Sequence, residues 1–166
     1  MKKKYRLLLL PLTLAMMLSL TACTNNGSTN NSEEKPYVIG VCQQMSHVAL
    51  DAATKGFKDA LAESGLNVKY KDADAGGEYA NCATIMDGFV AEKVDLIMAN
   101  ATYPLQAAAS ATSTIPVLGT SITDYATALT IDDWTGTVGG NISGTSDLAP
   151  LDQQAAMVQE VFPDAK

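Results

Sequence analysis

Arginine is almost absent from this chain: Arg6 is the only one, and no guanidinium follows it in the remaining sequence. The fork that grips phosphate or carboxylate at two points is therefore missing. With a formal net charge of −7 the chain repels a phosphate backbone, which excludes nucleic acid as a partner. Histidine occurs once, at His47, and no ligand spacing supports a metal site, so neither a metal nor a cofactor is expected. There is no GxSxG, no P-loop and no GxGxxG after the first strand-like run. Cysteine is confined to Cys23, Cys42 and Cys82. Cys42 and His47 could suggest a nucleophile and its base, but Cys42 belongs to a strand interior and no third orienting group is evident. Asp132 and Asp133 read as a solvated turn rather than paired acid–base carboxylates, and the lone Trp134 beside them reads as cover for a core edge. No catalytic residue is expected.

What is present begins at the amino terminus. Met1 to Arg6 is basic and Leu7 to Leu20 is almost wholly apolar, the pattern of a secretory signal peptide. The apolar run falls short of the about 20 residues that a spanning helix needs. Leu20-Thr21-Ala22-Cys23 follows and resembles the lipobox of bacterial lipoproteins. The resemblance implies cleavage after residue 22, lipid attachment at Cys23 and an extracytoplasmic chain anchored to the cell membrane. Removing residues 1–22, with Lys2, Lys3, Lys4 and Arg6, takes the formal charge from −7 to −11. Residues 23–36 are rich in Asn, Ser, Thr and Gly, cannot bury apolar surface, and read as a flexible tether.

From residue 37 onward, short apolar runs alternate with amphipathic ones. Tyr37 to Cys42 is nearly continuous apolar sequence, as in a strand buried on both faces. Leu50, Ala53, Phe57 and Leu61 recur at helical spacing, with Gly65 marking the end. Asn67 to Lys71 reads as a more exposed strand, and Cys82, Ile85, Met86, Phe89 and Val90 mark one face of a helix. Asp95 to Ala99 and Ile115 to Gly119 read as strands flanking an alanine-rich helix, while residues 124–140 look irregular. This order predicts an α/β fold, a parallel sheet with helices on both faces. Residues 37–144 would form one lobe, and residues 145–166 a crossover and a helix ending before the strand that would normally follow. Cys42 and Cys82 read as two buried free thiols, with a disulfide between them as the alternative in an oxidising compartment.

In open parallel sheets, ligands bind at the carboxyl ends of the strands. Those positions carry Gln43, Gln44, Ser46 and His47 after the first strand, and Asn100 and Thr102 after the third. Thr120, Ser121, Thr123 and Asp124 follow the fourth. Singly, each reads as a helix N-cap. As a cluster they read as a binding site, in which helix N-termini and hydroxyls seat the carboxylate of a small zwitterion without arginine.

Several stretches together resemble one family. Tyr37-Val-Ile-Gly-Val-Cys-Gln, His47-Val-Ala-Leu-Asp-Ala-Ala and Lys55-Gly-Phe-Lys-Asp-Ala-Leu are similar to the start of the tryptophan/tyrosine-type branch of ABC-transporter substrate-binding proteins. Val94 to Thr102, Ile115 to Asp124 and Gly140 to Leu148 agree with it. The resemblance implies the first lobe of a type I periplasmic binding protein with its second lobe truncated. It implies an amino acid ligand, often aromatic, delivered to an ABC permease driven by a cytoplasmic ATPase. By matching position it implies ligand contacts from His47, Thr102, Thr120, Ser121 and Asp124, with Thr145, Ser146 and Asp147 at the crossover. The family pattern places Pro directly after the Ala-Thr pair, where this chain has Tyr103 and then Pro104. A different use of the same lobe, as a lipid-anchored sensor or interaction module without transport, is the competing expectation.

Overall fold

The apolar runs become strands and the one-faced segments become helices in the computed structural model, which describes residues 35–164. The signal peptide, Cys23 and the tether up to Glu34 lie outside the described residues. Elements alternate in chain order: β1 (Tyr37–Gln43), α1 (Val48–Glu63), β2 (Val68–Asp74), α2 (Tyr79–Glu92), β3 (Leu96–Asn100), α3 (Thr102–Ala111), β4 (Val117–Ile122), α4 (Tyr125–Leu129), β5 (Ile142–Ser146) and α5 (Leu151–Val161). The strands form one sheet in the order β2-β1-β3-β4-β5, and every pairing between them is parallel.

Side chains alternate across this sheet, so β1 and β3 feed two cores. Ile39, Val41 and Met98 pack under α1 with Phe57, Leu61, Val68 and Tyr70. On the opposite face Cys42, Cys82, Met86, Phe89, Ile97 and Leu105 belong to the larger core formed with α2 and α3. Burying each of the larger side chains there contributes about 1.5–3 kcal/mol. Gly40 is what lets α2 approach, because a Cβ on it would lie 2.6 Å from the Phe89 ring.

Chain reversals use the expected devices. Gly65, with φ of +73°, follows the Ser64 cap of α1, and Lys93 closes α2 in the left-handed conformation. Asn141 pins the approach to β5 by donating to the carbonyls of Thr112 and Ile115 at 3.2 and 2.7 Å.

One expectation needs correction. The stretch expected to be irregular contains α4, built on Asp124, whose carboxylate accepts from the amides of Ala126 and Thr127. Cys42 and Cys82 are the two buried free thiols expected, both with no exposed surface, and the alternative of a disulfide is not taken. They lie against each other, and burial first and the neighbouring Cys82 second push the Cys42 thiol up to about 12.

Candidate functional site

The strand order places the site. From β1 the chain moves outward to β2, then crosses back to β3 on the other side of β1. The segments leaving β1 and β3 therefore diverge to opposite faces, α1 on one and α3 on the other, and open a crevice between them. The loops at this switch point are Gln44–His47 and Ala101–Thr102.

Gln44 holds the crevice open at a fixed width. Its N–H donates to the carbonyl of Asn100 at 3.1 Å, its carbonyl accepts the amide of Gly77 at 2.8 Å, and its Oε1 accepts the amide of Tyr103 at 3.2 Å. One residue thus ties the loops that follow β1, β2 and β3. Backbone geometry concentrates here as well. Ala101 has φ of 87° and ψ of 174°, a region that is essentially reserved for glycine, and its amide donates to the carbonyl of Thr120 at 2.9 Å. Ser121 has φ of 56° where the β4–β5 register shifts between Gly119 and Ile122. Such outliers persist where surroundings over-determine them, and they gather at ligand-holding loops.

The residues expected to face a ligand divide into two sets. Gln43 and Asn100 are drawn into the scaffold under the start of α1. Gln43 Nε2 donates to Asp51 Oδ1 at 2.6 Å, Thr54 Oγ1 donates to Gln43 Oε1 at 2.7 Å, and Asn100 Nδ2 donates to Thr54 Oγ1 at 2.9 Å and to the Leu50 carbonyl at 2.8 Å. Asn100 is fully buried, and its Oδ1 has no partner within the protein. Asp124 is occupied as the α4 cap, and the Thr127 hydroxyl and amide hold its carboxyl below the usual carboxylate range. Ser146 Oγ donates to the Thr123 carbonyl at 2.9 Å and accepts from the Leu148 amide. His47 caps α1, its Nδ1 accepting from the amide of Ala49 at 3.2 Å.

The second set is uncommitted. Among the described residues, the hydroxyls of Ser46, Thr102, Thr120, Ser121 and Thr145 make no hydrogen bond within the protein. The exposed Asp147 carboxylate stands beyond β5, where it adds to burial in pushing the Tyr125 phenol upward. Chemically, this edge offers neutral donors and helix N-termini to an anion, and one carboxylate to a cation.

Two further features escaped the sequence reading. Tyr79 and Tyr103, at the starts of α2 and α3, meet edge to face with ring centroids 5.9 Å apart. A groove of about 360 Å³ lies between α1 and the sheet, lined by Ala53 and Phe57 of α1, Met98 of β3, Leu118 and Thr120 of β4 and Thr145 of β5. Among the described residues no three or more His, Cys, Asp or Glu side chains could hold a metal, and no helix is long and apolar enough to cross a membrane.

A parallel sheet in this order with helices on both faces is the architecture of the first lobe of a type I periplasmic binding protein. Residues 38–166 match the family of ABC transporter substrate binding proteins, and the chain belongs to that family, whose members bind solutes rather than transform them. It is 36% identical over 158 residues to the tyrosine-binding protein of Clostridioides difficile (strain R20291), covering 89% of this chain and 46% of that one. A solved Streptococcus pneumonia ABC domain in complex with L-Trp shares 36% identity at a TM-score of 0.72, over 80% of this chain and 45% of its own. A ligand-free, open substrate binding protein with adhesive properties from Clostridium difficile shares 34% identity at a TM-score of 0.70, over 78% and 45%. The chain thus spans a little under half the length of these relatives.

Proposed function

We propose that this chain is the first ligand-binding lobe of an extracytoplasmic lipoprotein that captures an amino acid, with aromatic ones favoured. The protein would present its ligand to an ABC permease powered by a cytoplasmic ATPase, while Cys23 anchors it to the membrane. The observation that carries this reading is the set of unsatisfied hydroxyls on Ser46, Thr102, Thr120 and Ser121, at the carboxyl ends of β1, β3 and β4. A ligand carboxylate seated there would accept from backbone amides and hydroxyls. Its ammonium group would face the acidic side of the edge, at Asp147. The relatives named for tyrosine and solved with L-Trp support the choice of an amino acid.

Calorimetry and thermal shift of the full chain against amino acids, nucleosides and sugars test the reading. A ligand that binds only the folded state adds about 2.7 kcal/mol of stability at a hundred times its Kd. Saturable stabilisation by tryptophan or tyrosine is the expected result; no response to any amino acid overturns the proposal.

A further inference from the structure

We infer that Tyr79 and Tyr103 form the aromatic wall against which the side chain of the ligand rests, and that they set its preference for a ring. This rests on the amino acid reading of the crevice and adds the part of the protein that would choose among amino acids. The two tyrosines come from different helices, α2 and α3, yet their rings meet at 90° on the same edge of the sheet. They remain 42% and 41% exposed, and Met45 is 43% exposed on the β1–α1 loop. Large apolar side chains so placed on a small domain form a surface rather than a scatter, and such surfaces mark contact sites.

The position of the wall is built. Tyr103 follows Thr102, one of the free hydroxyls, and its amide is held by Gln44 Oε1. The loop carrying Tyr79 is tied to Gln44 through the amide of Gly77, whose Cα side faces the Met45 methyl. The same glutamine therefore ties the backbone leading into both tyrosines to the loop that carries Ser46. A perpendicular pair leaves one ring face and one ring edge open, and a third ring meets these in the offset and edge-on arrangements aromatics prefer. Every group in this wall is uncharged, as a side chain that is itself uncharged requires.

The test compares affinities for tryptophan and leucine, by calorimetry on the full chain, in the wild type and two double variants. Tyr79→Phe with Tyr103→Phe keeps the rings and should keep the preference. Tyr79→Ala with Tyr103→Ala should lower the ratio of tryptophan to leucine affinity about tenfold, with leucine affinity moving far less. Circular dichroism would confirm folding, which half-exposed side chains do not decide. An unchanged ratio in the alanine pair, or a wild type that binds both ligands equally, overturns the inference alone. A wild type that binds no amino acid overturns the proposed function, and the wall falls with it.

Discussion

At the scale of single residues, the buried thiols show how environment sets chemistry. Cys42 lies on β1, an interior strand of the sheet, with no exposed surface, and desolvation, helped by Cys82, raises its thiol from 9.0 to about 12. Such a thiol is a poor nucleophile because the thiolate is the reactive form. The linkage has a definite sign. Below pH 9.0 the group is neutral in both the folded and unfolded chain and costs nothing. Between 9.0 and about 12 only the unfolded chain ionises, so stability falls by about 1.4 kcal/mol per pH unit for this group. Urea midpoints measured from pH 8.5 to 11 should therefore decline more steeply in the wild type than in Cys42→Ala. Equal slopes would remove Cys42 as the cause. The burial of this residue was legible in the sequence, from its place in an apolar run. Which side-chain amides serve the fold was not. Gln43 and Asn100 sit at strand ends, where ligand contacts are expected, and only the three-dimensional approach of Thr54 reveals that they bond each other through it.

At the scale of elements, the weak joint is between β4 and β5. Gly119 and Gly144 are register partners, and the Tyr125 hydroxyl lies over both while it donates to the Thr145 carbonyl at 3.3 Å. A Cβ at Gly144 would collide with that hydroxyl and with the backbone of Gly119, which cannot yield without parting the strands. Gly144→Ala should destabilise by about 1–3 kcal/mol, the usual range for overpacking. Amide exchange should accelerate along β5 before it does along β1, and uniform protection would contradict this. The strands β1, β3 and β4 were readable because strands buried within a sheet are rich in apolar residues. Helix α4 was not readable: its five residues carry no helical period, and its existence depends on the Asp124 cap and on Tyr125 reaching Gly119 and Gly144. The tyrosine wall was hidden for a similar reason, since 24 positions separate Tyr79 from Tyr103 and only the loops of two strands bring them together.

At the scale of the whole molecule, a lobe with a site on one edge needs to be held where its ligand is wanted. The lipobox-like Leu20 to Cys23 and the polar stretch behind it would provide this, since a diacylated cysteine contributes two buried chains and one chain alone binds only marginally. Cys23→Ala should release the protein from the membrane fraction to the soluble one while leaving its thermal unfolding midpoint unchanged. Retention in the membrane fraction would refute the anchor. The three bonds of Gln44 have a consequence at this scale too. Because a single side chain and its own peptide groups brace the loops after β1, β2 and β3, the rim cannot widen at one point without moving at the others. The entropy of ordering the rim is then lost when the chain folds and not when a guest arrives, so an incoming solute meets a receptor that has already given up its freedom.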